Sequence, residues 1–168
     1  MYFPYLRGKQ FELIALRELV GLPLNPDKII PLIEPVKKNT SSLRTALRAL
    51  CGANIRVQLV VNTEHGELKG DSESIFTLIE ELKDLGVTSI IPTYLIKTDR
   101  DSFFAQESIR QRGFSDNGYA LVHLNKTNDI QSLSDFTKNT ACLYNTIHIN
   151  NLFGLKRKYV NRTLLIDN

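Results

Sequence analysis

Short runs rich in Ile, Val and Leu alternate with amphipathic stretches along this chain, about every 30 residues, the length of a βαβ unit. The strand-like runs are Tyr2–Leu6, Ile29–Ile33, Val57–Val61, Ser89–Pro92, Tyr119–Val122, Thr146–Ile149 and Thr163–Ile166. Unbroken alternation implies a parallel sheet, since each strand must be carried back to the start of the next by a crossover helix. Most of these runs close on a polar or charged residue: Arg7 and Lys9, then Glu34, Asn62, Tyr94, His123, Asn150 and Asp167. In parallel α/β folds ligands bind at the C-terminal ends of the strands, so the repeat says where chemistry belongs.

The segments between the strands read as helices with recognisable ends. Phe11, Leu13, Ile14, Leu16 and Leu19 form the apolar face of a first helix that ends at Gly21 and Pro23. A second starts at Thr40-Ser41-Ser42 and carries Leu43, Ala46, Leu47 and Leu50 to Gly52, at i, i+3, i+4, i+7 spacing. The third begins at Asp71 or Ser72, presents Ile75, Leu78, Ile79 and Leu82, and stops at Gly86. A fourth is expected over Asp101 to Arg112 with Phe103, Phe104 and Ile109 inward, and a fifth over Ile130 to Lys138. Leu152 to Tyr159 leaves room only for a helical turn.

Two parallel architectures meet these constraints. A doubly wound nucleotide-binding sheet places a glycine-rich phosphate loop after its first strand, whereas Leu6-Arg7-Gly8-Lys9-Gln10 holds one glycine and no phosphate-loop motif. A (β/α) barrel needs no such loop. The reading is therefore an α/β, parallel (β/α) barrel-like fold in one domain over residues 1–168, incomplete at about seven of eight strands and truncated at its C-terminus. Open edges at the first and seventh strands would then favour self-association or a protein partner.

Composition excludes some function classes. The net charge of +3 is too small and too scattered for a dedicated nucleic-acid binder, and the densest basic run is Lys156-Arg157-Lys158. No apolar stretch approaches a membrane span, and the N-terminus lacks a secretory signal. Cys51 and Cys142 match no metal or redox spacing; Cys51 lies in an apolar helix run and reads as a buried thiol in a reducing, cytoplasmic compartment. The three histidines, His65, His123 and His148, form no metal motif, so no metal is expected and the cofactor is left unknown.

The candidate site is a set of strand-end residues. Arg7, Lys9 and Lys37 suit a phosphate or carboxylate group. Glu34 follows a buried run and reads as an acid/base group, a metal ligand or the structural partner of a cation, with Asp167 at the matching point of the last strand as a candidate second carboxylate of a pair. An ion pair from Glu34 to Arg7 or Lys9 is expected. Asn62, Tyr94, His123 and Asn150 complete the ligand-facing set, with His123 turned inward and hydrogen-bonded to a neighbour.

The opening Tyr2-Phe3-Pro4-Tyr5-Leu6-Arg7-Gly8-Lys9-Gln10-Phe11-Glu12, followed by Pro31-Leu32-Ile33-Glu34-Pro35-Val36, resembles the beta family proteins of phages and bacteria, often encoded among mobile or phage-defence genes. The resemblance is specific over the first 40 or so residues and looser but collinear beyond. It implies a larger barrel-type protein, with Arg7, Lys9, Glu12 and Glu34 as signature residues. Asn62-Thr63 stands where the family pattern has Asn-Pro. The resulting expectation is a barrel binding an anionic ligand at its strand C-termini; the alternative is a non-catalytic interaction subunit of a phage or defence complex.

Overall fold

The computed structural model describes residues 1–23 and 25–147. Six strands, all parallel, follow chain order with a helix in each connection: β1 (Tyr5–Leu6), β2 (Leu32–Ile33), β3 (Val57–Val60), β4 (Ile90–Ile96), β5 (Tyr119–His123) and β6 (Cys142–Ile147). The intervening helices are α1 (Gln10–Leu19), α2 (Ser41–Gly52), α3 (Ser72–Asp84), α4 (Asp99–Gln111), the short α5 (Phe114–Asn117) and α6 (Ile130–Lys138). The protein is thus an α/β protein with the chain-order parallel pairing of barrel-type folds. The seventh expected strand, Thr163–Ile166, and the expected turn at Leu152 to Tyr159 lie outside the described residues. The chain divides into two compact units, Met1–Ile91 and the part from Pro92 onward.

In the first unit β1 pairs with β2 through Tyr5–Leu32 and Leu6–Ile33, and β2 with β3 through Leu32–Gln58 and Ile33–Leu59. The β1 and β2 runs are broken by Pro4 and Pro31, so only an isolated bridge, Tyr2–Ile29, extends their pairing toward the N-terminus. Leu43, Ala46, Leu47 and Leu50 of α2 and Ile75, Leu78, Ile79 and Leu82 of α3 are buried, as their spacing requires. Phe11 is a correction, because it is 83% exposed. At about 100° per residue it stands roughly 160° from Leu13, on the opposite side of α1.

In the second unit β5 registers with β4 through Ala120–Thr93 to His123–Ile96, and β6 with β5. The fourth strand runs to Ile96 rather than ending near Pro92, and the sixth begins at Cys142 rather than Thr146. β6 shows the half-buried alternation of a strand with one covered face, with Tyr144 and Thr146 inside. Helix α4 is started by a reciprocal cap, Thr98 Oγ1 accepting from the Asp101 amide while Asp101 accepts from the Thr98 amide at 2.8 Å. Phe103 is the second correction: it is 67% exposed, whereas Ile109 is buried as expected, together with Ala105.

Candidate functional site

Glu34 organises the C-terminal end of the strands in the first unit. It follows β2 directly and is fully buried, an expensive place for a carboxyl unless donors surround it. Four do. The Tyr5 hydroxyl donates to Oε2 at 2.9 Å, and the backbone amides of Glu64 and His65 donate to Oε1 at 2.7 and 3.0 Å. The His65 ring approaches through Nδ1, 3.0 Å from each oxygen. Oxygens that accept from fixed amides require Nδ1 to carry the hydrogen, which sets the tautomer of a neutral ring. Nε2 then holds a lone pair and has no hydrogen-bond partner among the described residues. The His65 side chain is 47% exposed, so this nitrogen is accessible.

Backbone geometry holds the loop in place. Gly66 has φ of +77°, and a Cβ added there would stand 2.2 Å from the carbonyl oxygen of Val36. Only glycine permits that approach, and it lets the Glu67 amide donate to the Val36 carbonyl at 2.8 Å. The stretch after β3 is therefore tied to the stretch after β2 at several points. Burial raises the Tyr5 hydroxyl well above the ordinary tyrosine range, with the Glu34 charge adding to the effect and Arg7 opposing it. Tyr5 accordingly stays a hydrogen-bond donor, and Arg7 is near enough for its charge to act on that hydroxyl.

The expected ion pair between Glu34 and Arg7 or Lys9 is replaced by contacts with Tyr5 and His65. Arg7 is exposed just past β1, while the Lys9 amide donates to the Glu12 carboxylate at 2.9 Å in the cap of α1. Lys37 is paired with Glu67 at 2.8 Å on the surface. Asn62 is half-buried two residues beyond β3. Arg7, Glu34 and Asn62 thus stand at the C-terminal ends of three adjacent parallel strands.

In the second unit Tyr94 falls inside β4 rather than at its end. It is fully buried with its hydroxyl 3.0 Å from Ser108 Oγ on α4, and burial raises its hydroxyl above the ordinary range. His123 ends β5, buried, with Nε2 2.6 Å from Asn145 Oδ1; burial lowers its imidazole to about 4. Asn150 and Asp167 lie outside the described residues, so the Glu34–Asp167 pairing is not addressed.

Two participants escaped the sequence reading. His65 stands out in the sequence only as one of three histidines without a metal motif, and no short-range pattern links it to a glutamate 31 residues earlier. Gln58 lay within an apolar strand. Its register opposite Leu32 puts it two positions before Glu34 on the same sheet face, and its buried amide has no hydrogen-bond partner among the described residues.

Fold and site together define a parallel α/β protein with a buried carboxyl and an accessible histidine at its strand C-termini. No family model, curated protein or solved structure matches the chain. Among the described residues no group of His, Cys, Asp and Glu is arranged to hold a metal ion, and no helix is long and apolar enough to cross a membrane.

Proposed function

We propose that this chain is a (β/α) barrel-like protein of the beta family type, associated with phage defence or mobile elements. Its role is to bind an anionic small molecule, phosphate- or carboxylate-bearing, at the C-terminal ends of β1 to β3. The observation that carries the reading is the Glu34-anchored His65 ring at the strand C-termini, with Arg7 near enough to act on the Tyr5 hydroxyl that also binds Glu34. Four donors hold one buried carboxyl at the sheet end where parallel α/β proteins bind ligands, and the anchored ring is left accessible. Arg7 supplies the exposed positive charge, whereas Lys37 is already neutralised by Glu67. An unpartnered buried amide at Gln58 on the same sheet face adds a polar group able to meet a ligand or water.

The test is titration with millimolar inorganic phosphate, followed by thermal shift and by ring NMR of the three histidines. Phosphate should raise the unfolding temperature and perturb His65; Arg7→Gln should remove both effects and Lys37→Gln neither. An unchanged response in Arg7→Gln would refute the assignment.

A further inference from the structure

Orienting a histidine through Nδ1 does more than build a binding surface. A neutral imidazole in water favours hydrogen on Nε2, yet here Nδ1 lies 3.0 Å from both oxygens of a carboxyl that already accepts two backbone amides and the Tyr5 hydroxyl. The ring must donate at Nδ1, and its basic electron pair is directed outward at Nε2. The same contacts fix the main chain of His65, so both the backbone and the ring are held by Glu34. A base whose ring is oriented by a buried carboxyl is the arrangement that general acid–base catalysis requires.

We propose that His65 is a proton-transfer catalytic residue and that Glu34 and Tyr5 are its positioning residues, acting on a small anionic molecule whose hydroxyl, or a water held against it, gives up a proton. The identity of the molecule as an anion rests on the binding role proposed above. In the step, the Nε2 electron pair takes the proton, the O–H bond breaks, and its electrons remain on oxygen. The new imidazolium keeps its Nδ1–H bond to Glu34, whose carboxyl stabilises the charge formed. Return of the proton from Nε2 to that oxygen, or to another anionic oxygen of the bound molecule, restores the starting ring and balances the transfer. Tyr5 keeps the second carboxyl oxygen occupied, so Glu34 cannot swing away from the ring.

The experiment uses the full chain and two readouts. Long-range proton–nitrogen NMR of wild type at alkaline pH should show hydrogen on Nδ1 of His65 and a bare Nε2; Glu34→Ala, which removes the acceptor, should return the ring toward the Nε2–H form. Hydrolysis of 4-nitrophenyl acetate, which reports an accessible imidazole electron pair, should fall at least about tenfold in His65→Gln, against the 100-fold or more that acid–base groups commonly contribute. His65 is half-exposed, so this variant tests chemistry and not folding, and the tautomer measurement needs no variant. An Nε2–H ring in wild type, or an ester rate within about twofold in His65→Gln, would overturn the proposal. Phosphate separates the two ideas: no response to phosphate, with tautomer and ester rate as expected, would overturn the anion reading alone and leave His65 acting on a neutral substrate.

Discussion

Glu34→Gln converts one oxygen of the buried carboxyl into an amide nitrogen, and the four surrounding donors decide what that costs. The Tyr5 hydroxyl can turn and accept from the new NH2 group, so the amide settles with nitrogen toward Tyr5 and oxygen toward the 64–65 loop. That orientation keeps the two backbone amides and Nδ1 paired, but with a neutral acceptor. A hydrogen bond to a charged group is worth about 1.5–3 kcal/mol and a neutral one about 0.5–1.5, so each of the three loses about 1 kcal/mol. The sum, about 3 kcal/mol, corresponds to a fall of about 6–12 °C in the unfolding temperature of a chain this size. Glu34→Ala strips the donors altogether and should cost about 5 kcal/mol. Tyr5→Phe removes one bond to the charged carboxyl and should cost about 1.5–3 kcal/mol. Thermal unfolding followed by circular dichroism gives all three. A Glu34→Gln shift under about 2 °C, or the order Ala milder than Gln, would refute the network as drawn.

Four further outcomes are expected. Gly66→Ala should destabilise by more than about 2 kcal/mol, from a left-handed backbone and a Cβ driven into the Val36 carbonyl, and should disorder the His65 ring signal; a neutral change in urea unfolding would contradict the loop geometry. Gln58→Met replaces an unpartnered buried amide at similar volume, so urea titration should show about 1–3 kcal/mol of added stability, and a loss would show that the amide is satisfied. His123, lowered to about 4 by burial against 6.5 when unfolded, contributes stability that is complete above pH 6.5; about 3 kcal/mol should be lost as pH falls to 4, and His123→Gln should flatten that slope. Burial raises the Cys142 thiol to about 11, so iodoacetamide at pH 8 should modify Cys51 first by mass spectrometry, and equal labelling would contradict this.

Helices α2, α3 and α6 were legible because their buried residues recur at helical spacing and their ends carry Ser, Asp or Gly. Phe11 and Phe103 misled because aromatic character was read as burial, whereas their angular positions put them about 120–160° from the aliphatic faces that pack. Tyr94 misled through a strand boundary: Pro92 suggested an ending, but the strand continues for four more residues to Ile96. Cys51 is half-buried and not enclosed, since it lies near the end of α2 where the apolar stripe meets the surface. For Glu34 the need for partners and the place after β2 follow from a carboxyl that ends an apolar run. The sequence could not name those partners, because Tyr5 and His65 are 29 and 31 residues away and no local charge pattern favours them over Arg7.

Those separations bear on the order in which the chain folds. Each contact to Glu34 closes a loop of about one βαβ unit, a closure that costs entropy before it returns any bonding. Tyr5 cannot reach Glu34 until β1 and β2 are paired, and His65 cannot until β3 has joined them. The ring tautomer of His65 is therefore a late reporter, silent until two successive strand additions are complete. In a refolding experiment it should appear after the helical circular dichroism signal has recovered, which makes a single nitrogen atom a clock for closure of the first three strands.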